Sequence, residues 1–203
     1  ALAERDEAER PAGEVITAEY LTACLRRLLD GEDALVLHEV VTGSRAVAEH
    51  LRPSRPGSVV HHGGGHLGWA GGAAIGAKLA FPERIVVTLA GDGSFLLGSP
   101  ASALWVQRRY GTPALTVVYD NRGWAGPKFS TLHVHPSGAA AAADDFGVSL
   151  EPEVDLPGVA LAAGAGFGAT VSEPRELPQV LKDALEVVRG GRPAVVSVHL
   201  PRA

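Results

Sequence analysis

Five stretches of this chain are apolar without alternation: "ALVLHEVV", "RIVVTLA", "PALTVVYDN", "FGATVSEP" and "PAVVSVHL". A strand with one face in water alternates apolar and polar residues. A strand that does not alternate is covered on both faces. Parallel neighbours cannot be joined by a tight turn and need crossover segments, mostly helices. The intervening segments have that character. In "ITAEYLTACLRRLLD", Leu21, Leu25, Leu28 and Leu29 fall on one helical face, with Thr17 as N-cap and Gly31 as stop. "SRAVAEHL", the Ala/Gly-rich "WAGGAAIGAKLA", "SPASALWVQRRY" (Ser99 as cap, Pro100 in the first turn), "DLPGVALAAGAG" and "ELPQVLKDALEVVRGG" are read as helices. "GWAGPKFSTLHVHPSG" reads as a loop, and the alanines at 139–143 as a helix start. The expected fold is a doubly wound α/β domain, mainly parallel, with helices on both faces.

The 203 residues are 46% hydrophobic and 20% charged, enough for one domain with a real core. A net charge of −5 argues against a nucleic-acid partner. A single cysteine, Cys24, excludes a disulfide framework, and its leucine neighbours make it a buried thiol. No apolar run approaches the roughly 20 residues of a membrane helix, and the start does not read as a signal peptide. A soluble, cytoplasmic protein is expected. Residues 1–14 are polar and punctuated by Pro and Gly, the character of a linker, leaving 15–203 as the domain. The sequence has no methionine, which is also what a piece of a longer chain would show.

Why should an apolar run such as "VVTLAGDGS" end in a carboxylate between two glycines? In open parallel sheets, ligands bind beyond the carboxyl ends of the strands. Three runs end in polar groups there: Thr42, Gly43 and Ser44; Asp92 and Ser94; Asp120, Asn121 and Gly123. Asp and Asn side chains with a backbone carbonyl are hard oxygen ligands suited to Mg²⁺ or Ca²⁺. Glycines let an anion approach backbone amides, and a helix N-terminus adds a favourable dipole. A lone GDGS is equally well a strand-to-helix turn with Asp92 and Ser94 as caps. The second polar strand end tips the balance, because the 27 residues between Gly93 and Asn121 are enough for one helix and one strand.

"GDGSFLLGSPASALWVQRRYGTPALTVVYDNRG" resembles the thiamine-diphosphate motif, in which GDG is followed just under thirty residues later by Asn. With the flanking "GGGHLGWAGGAAIGAKLA", the chain over about 17–200 is similar to the C-terminal, cofactor-binding domain of the acetolactate synthase and 2-oxo-acid decarboxylase superfamily. The resemblance implies that Asp92, Asn121 and the Gly123 carbonyl hold Mg²⁺, which bridges the diphosphate of thiamine diphosphate. It implies that Gly91, Gly93 and Ser94, with Val41, Thr42 and Gly43, surround that diphosphate. The Gly65 carbonyl would accept from the 4′-amino group, and Leu67 would prop the cofactor in its bent form. The reaction implied is decarboxylation of a small 2-oxo acid, with or without carboligation, in a homodimer or homotetramer.

Two departures qualify the resemblance. The glutamate that protonates the pyrimidine comes, in this family, from an N-terminal domain that these residues do not contain. Glu39 lies in the diphosphate region and is not given that role. The chain is therefore expected to be a domain of a longer protein, or one subunit of a split enzyme, inactive without its pyrimidine-binding partner. Second, the acid that some decarboxylases carry six positions after the metal asparagine is here Pro127, which tilts the reading toward ligation.

Among the histidines, His66 beside Leu67 is the candidate acid/base group, with His61 and His62 in the same loop. His133 and His135 lack a carboxylate at ligand spacing and read as a surface strand or lid. Trp124 and Lys128 either shape a substrate pocket or pack; Arg108 and Arg109 complement a helix end. Two other functions compete. One is a non-catalytic assembly subunit that retains the fold. The other is a dinucleotide-binding oxidoreductase, for which Gly63, Gly65 and Gly68 of "GGGHLG" have the spacing but not the preceding long strand.

Overall fold

The computed structural model describes residues 7–11, 13–61, 63 and 65–202. Six parallel strands form one sheet in the order β2-β1-β3-β4-β6-β5. They are β1 (Ala34–His38), β2 (Val59–Val60), β3 (Ile85–Gly91), β4 (Leu115–Asp120), β5 (Phe167–Val171) and β6 (Ala194–His199). The central strands β3 and β4 are buried along nearly their whole length, as their unbroken apolar runs require. β2 is a two-residue edge strand that its short "VV" did not announce.

The helices, among the described residues, are α1 (Ala18–Leu28), α2 (Ser44–His50), α3 (Ala70–Ala80), α4 (Asp92–Leu97), α5 (Pro100–Tyr110), α6 (Ala125–Val134), α7 (Ala139–Ala143), α8 (Leu156–Ala162) and α9 (Leu177–Arg189). A large apolar cluster joins Leu21 and Leu25 of α1 and Leu177 and Leu181 of α9 to Val87, Val117 and Val196 of the sheet. Smaller clusters built on α5 and α8, and on α3, cover the opposite side chains of the same strands. Both faces of the sheet are thus buried.

Local signals held where they have a backbone mechanism. The Thr17 hydroxyl accepts from Tyr20 N at 3.1 Å and starts α1. Cys24 is a buried free thiol, its pKa raised mainly by burial. Arg108 and Arg109 lie in the last turn of α5. Two expectations are corrected. Ser99 precedes α5 in a left-handed conformation (φ 50°) and makes no capping bond with its side chain, so Pro100 alone pre-sets the first turn. The segment after Asn121, read as a loop, forms the ten-residue α6, with Pro127 in its first turn where no hydrogen bond is lost.

Residues 1–6 of the lead-in lie outside the described residues. At its far end Glu9 is buried at 5% exposure and is not solvated as a linker residue would be. Arg26 grips it with two bonds, at 2.8 and 2.6 Å, and His50 Nδ1 stands 2.9 Å away.

Candidate functional site

The β3–β4 register sets Gly91 beside Tyr119, so the residues that follow leave the sheet side by side. Asp92 is 4% exposed. Its Oδ1 accepts from Gly93 N at 2.7 Å and its Oδ2 from Gly123 N at 2.9 Å. One terminal atom of the Asn121 amide lies 3.3 Å from Asp92 Oδ2 and 2.8 Å from the Gly123 carbonyl oxygen. With nitrogen at that position it donates to both. With oxygen there, three acceptors converge with no hydrogen among them, and a cation is what relieves such a cluster. The two loop tips singled out in the sequence do meet.

Burial pushes the Asp92 carboxyl up to about 6, against the two backbone amides that favour its charge, and the neighbouring Asp120 adds to the rise. Asp120 in turn accepts from Arg122 N at 3.1 Å and from Ser197 Oγ at 2.9 Å. Two adjacent carboxylates at the mouth of a parallel sheet make a strongly negative, all-oxygen site, the chemistry of a hard divalent cation.

The loops around this point leave room for a ligand. Val41 and Thr42 are exposed beyond β1. A Cβ on Gly126, in the first turn of α6, would come 3.7 Å from Val41 Cγ1, so the β1 and β4 loops face each other. A Cβ on Gly43 would stand 2.9 Å from Val40 Cγ1, and one on Gly93 would overlap the Trp124 indole. Trp124 Nε1 is buried and has no hydrogen-bond partner among the described residues, leaving an orphan donor beside Gly93. Ser94 is buried in α4, and Gly91 is open apart from Ser94 Oγ at 3.8 Å. With only six residues, α4 offers a weaker dipole than the sequence reading assumed, so an anion here would depend on the cation and on the amides.

In the glycine loop, Gly65 (φ +65°) and His66 are exposed and Leu67 is half-buried. His62 lies outside the described residues. His61 is exposed, with its ring 5.2 Å from that of the buried His38, whose pKa is lowered to about 4 by burial first and by His61 second. His133 and His135 belong to the end of α6 and are exposed, so the strand reading of that pair is corrected. Lys128 lies 5.7 Å from the Phe146 ring centroid.

Sequence reasoning singled out Asp120 but not the polar cluster around it. His199 Nε2 stands 2.8 Å from Glu153 Oε1 and 3.8 Å from Asp120 Oδ2, while its Nδ1 is 2.9 Å from Ser172 Oγ. These residues come from three strand ends and a loop, and no local pattern links them.

The glycine loop follows the two-residue β2, and a dinucleotide site would need a long strand there; this sets the oxidoreductase alternative aside. Comparison with known proteins agrees. A benzoylformate decarboxylase of Pseudomonas aeruginosa is 31% identical over 170 residues, covering 82% of this chain and 29% of its own length. An acetolactate synthase isozyme 3 large subunit of Escherichia coli is 31% identical over 192 residues, covering 91% of this chain and 31% of its own. The chain thus spans about a third of these relatives. A solved thiamine diphosphate-dependent 4-hydroxybenzoylformate decarboxylase of Rhodococcus jostii shares the fold with a TM-score of 0.81 over 96% of this chain and 34% of its own, at 23% identity. No helix among the described residues is long and apolar enough to cross a membrane. The model of the C-terminal thiamine pyrophosphate-binding domain of thiamine pyrophosphate enzymes matches residues 41–198, and the chain belongs to that family, whose cofactor is thiamine diphosphate.

Proposed function

We propose that this chain supplies the metal and diphosphate site of a thiamine diphosphate-dependent enzyme acting on a 2-oxo acid, by decarboxylation with or without carbon–carbon ligation. The observation that carries the reading is the convergence of Asp92 Oδ2, the Asn121 amide and the Gly123 carbonyl at one point. In this reading those three groups hold Mg²⁺. Gly91, Gly93 and Ser94, with Val41, Thr42 and Gly43, surround the diphosphate, and the orphan Trp124 indole N–H adds a donor. The Gly65 carbonyl accepts from the 4′-amino group and Leu67 supports the bent cofactor.

When bound, thiamine diphosphate supplies a carbon nucleophile and an electron sink. The chain's own task is to neutralise the diphosphate, orient the ring and keep water from one side of it. The activating glutamate is assigned to a pyrimidine-binding domain, on the same chain or a second subunit. A homodimer or homotetramer is part of this reading, with the site formed between two chains. Both reaction types occur among the names of the relatives, and Pro127 in place of an acid favours ligation.

Titration calorimetry of the full protein with thiamine diphosphate, with and without Mg²⁺, tests this. Tight binding should require the metal, and Asp92→Ala should weaken it at least about tenfold. Equal affinity of wild type and Asp92→Ala for the Mg²⁺ complex would remove the metal assignment.

A further inference from the structure

We infer that Glu39 is a positioning residue that holds the 65–70 loop, and with it the cofactor's ring-binding groups, in place; this rests on the proposed function. Glu39 follows β1 and is 4% exposed. Its own amide donates to Leu89 O at 2.7 Å, which ties its backbone to the end of β3. Its carboxylate reaches across 29 positions of sequence: Oε1 accepts from Gly68 N, and Oε2 accepts from Ala70 N at 2.9 Å. Ala70 N is the first amide of α3 and Gly68 N lies just before its N-cap, Trp69, which makes no capping bond with its side chain. The first turn of a helix leaves its N–H groups without partners, and here a remote carboxylate fills the role of the missing cap.

The same stretch is held from its other side. Gly68 adopts φ +86°, and a Cβ there would stand 2.8 Å from Gly98 N and 2.9 Å from the Leu97 carbonyl carbon. Backbone contact on one side and a charged clamp on the other leave the Leu67–Gly68–Trp69 turn little freedom. A small, half-open space lies behind it, lined by apolar residues such as Phe95 and Leu104 and by Glu39, Thr88, Thr116 and Gln107. Thr88 Oγ1 and Gln107 Oε1 are buried there without partners among the described residues. The lining there is mostly apolar, so the two backbone N–H groups that donate to Glu39 are what offset the burial of its charge.

Glu39 is thus separate in role from Asp92. Asp92 serves the metal and the diphosphate, while Glu39 sets where Gly65 and Leu67 stand. A Gln at 39 turns one acceptor into a donor facing a backbone N–H. An Asp at 39 keeps the charge but is one methylene too short to serve both amides.

The test uses the full protein and two probes, Mg²⁺ with inorganic pyrophosphate and Mg²⁺ with thiamine diphosphate, both by calorimetry, plus amide exchange of residues 65–70 without cofactor. Glu39→Gln should leave pyrophosphate affinity within about twofold, weaken thiamine diphosphate about tenfold and speed loop exchange about tenfold, with Glu39→Asp between the two. Equal losses for both probes would make Glu39 a general folding residue and overturn the inference. Unchanged exchange and affinity in both variants would also overturn it, leaving the proposed function intact so long as Asp92→Ala still loses both ligands. Failure of the wild type to bind thiamine diphosphate would remove both readings.

Discussion

Trp124 Nε1 sits against the α-carbon of Gly93: a Cβ built on that glycine would stand 1.7 Å from the indole nitrogen. The contact joins the first turn of α4, directly after β3, to the loop after β4, the two segments that carry Asp92 and Asn121. The aromatic residue that the sequence left between pocket and packing is thus packed against Gly93, beside Asp92.

Gly93→Ala must expel the indole. Such overpacking costs about 1–3 kcal/mol. The substitution should lower the midpoint of chemical unfolding and red-shift tryptophan emission as Trp124 moves into water. It should also weaken binding of Mg²⁺ with thiamine diphosphate. An emission spectrum identical to wild type would show that the indole does not occupy this place.

Metal and cofactor should stabilise the full protein jointly. A ligand at a hundredfold excess over its Kd adds about 2.7 kcal/mol. Thiamine diphosphate with Mg²⁺ should raise Tm by the corresponding few degrees, and addition of a chelator should reverse the gain. Either component alone should shift Tm far less, because in the proposed site the cation would neutralise the Asp92 carboxylate and the diphosphate together.

The Tyr119 hydroxyl is 2.9 Å from Thr22 Oγ1, which itself donates to Ala18 O at 2.6 Å. Tyr119 therefore donates, and burial pushes its pKa well above the usual value. Removing the hydroxyl leaves Thr22 still bonded, so Tyr119→Phe should cost only about 1 kcal/mol in urea unfolding, without a change in thiamine diphosphate affinity.

The Glu9 anchor should be acid-sensitive. The Arg26 guanidinium, bonded to both its oxygens, holds the Glu9 carboxyl down from 4.5 to about 2, against the opposing push of burial and with help from His50. A carboxyl lowered in the folded state stabilises it fully above its unfolded value and loses that contribution as pH falls through the folded one. Protection from amide exchange around residues 7–11, taken relative to the intrinsic rate at each pH, should therefore fall between about pH 4.5 and 2 in wild type. In Glu9→Gln that protection should be low at every pH. Identical exchange profiles for the two proteins would refute the anchor.

Much of the architecture was readable before any coordinates. The unbroken apolar runs of β3 and β4 required cover on both faces, and the caps and prolines at Thr17 and Pro100 marked helix starts through local backbone chemistry. The convergence of Asp92 and Asn121 was also legible, because the chain between them has the length of a single crossover and the parallel register does the rest. What local patterns missed were short or weakly amphipathic elements: the two-residue β2 takes its pairing from β1, and α6 is a helix whose Gly and Pro content imitates a loop.

Sequence alone therefore determined the layered α/β fold, the family and the place of the oxygen-rich site, since burial pattern, turn chemistry and motif spacing are properties of the chain order. Only the tertiary structure decided that Glu39 grips the loop before α3, that Trp124 covers Gly93, that Glu9 is held by Arg26 and His50, and that His199 meets Glu153 and Ser172. Each of these is a contact between side chains, or a side chain and a distant amide, brought together by strand order and register. Such contacts leave no period, cap or spacing for a sequence to display.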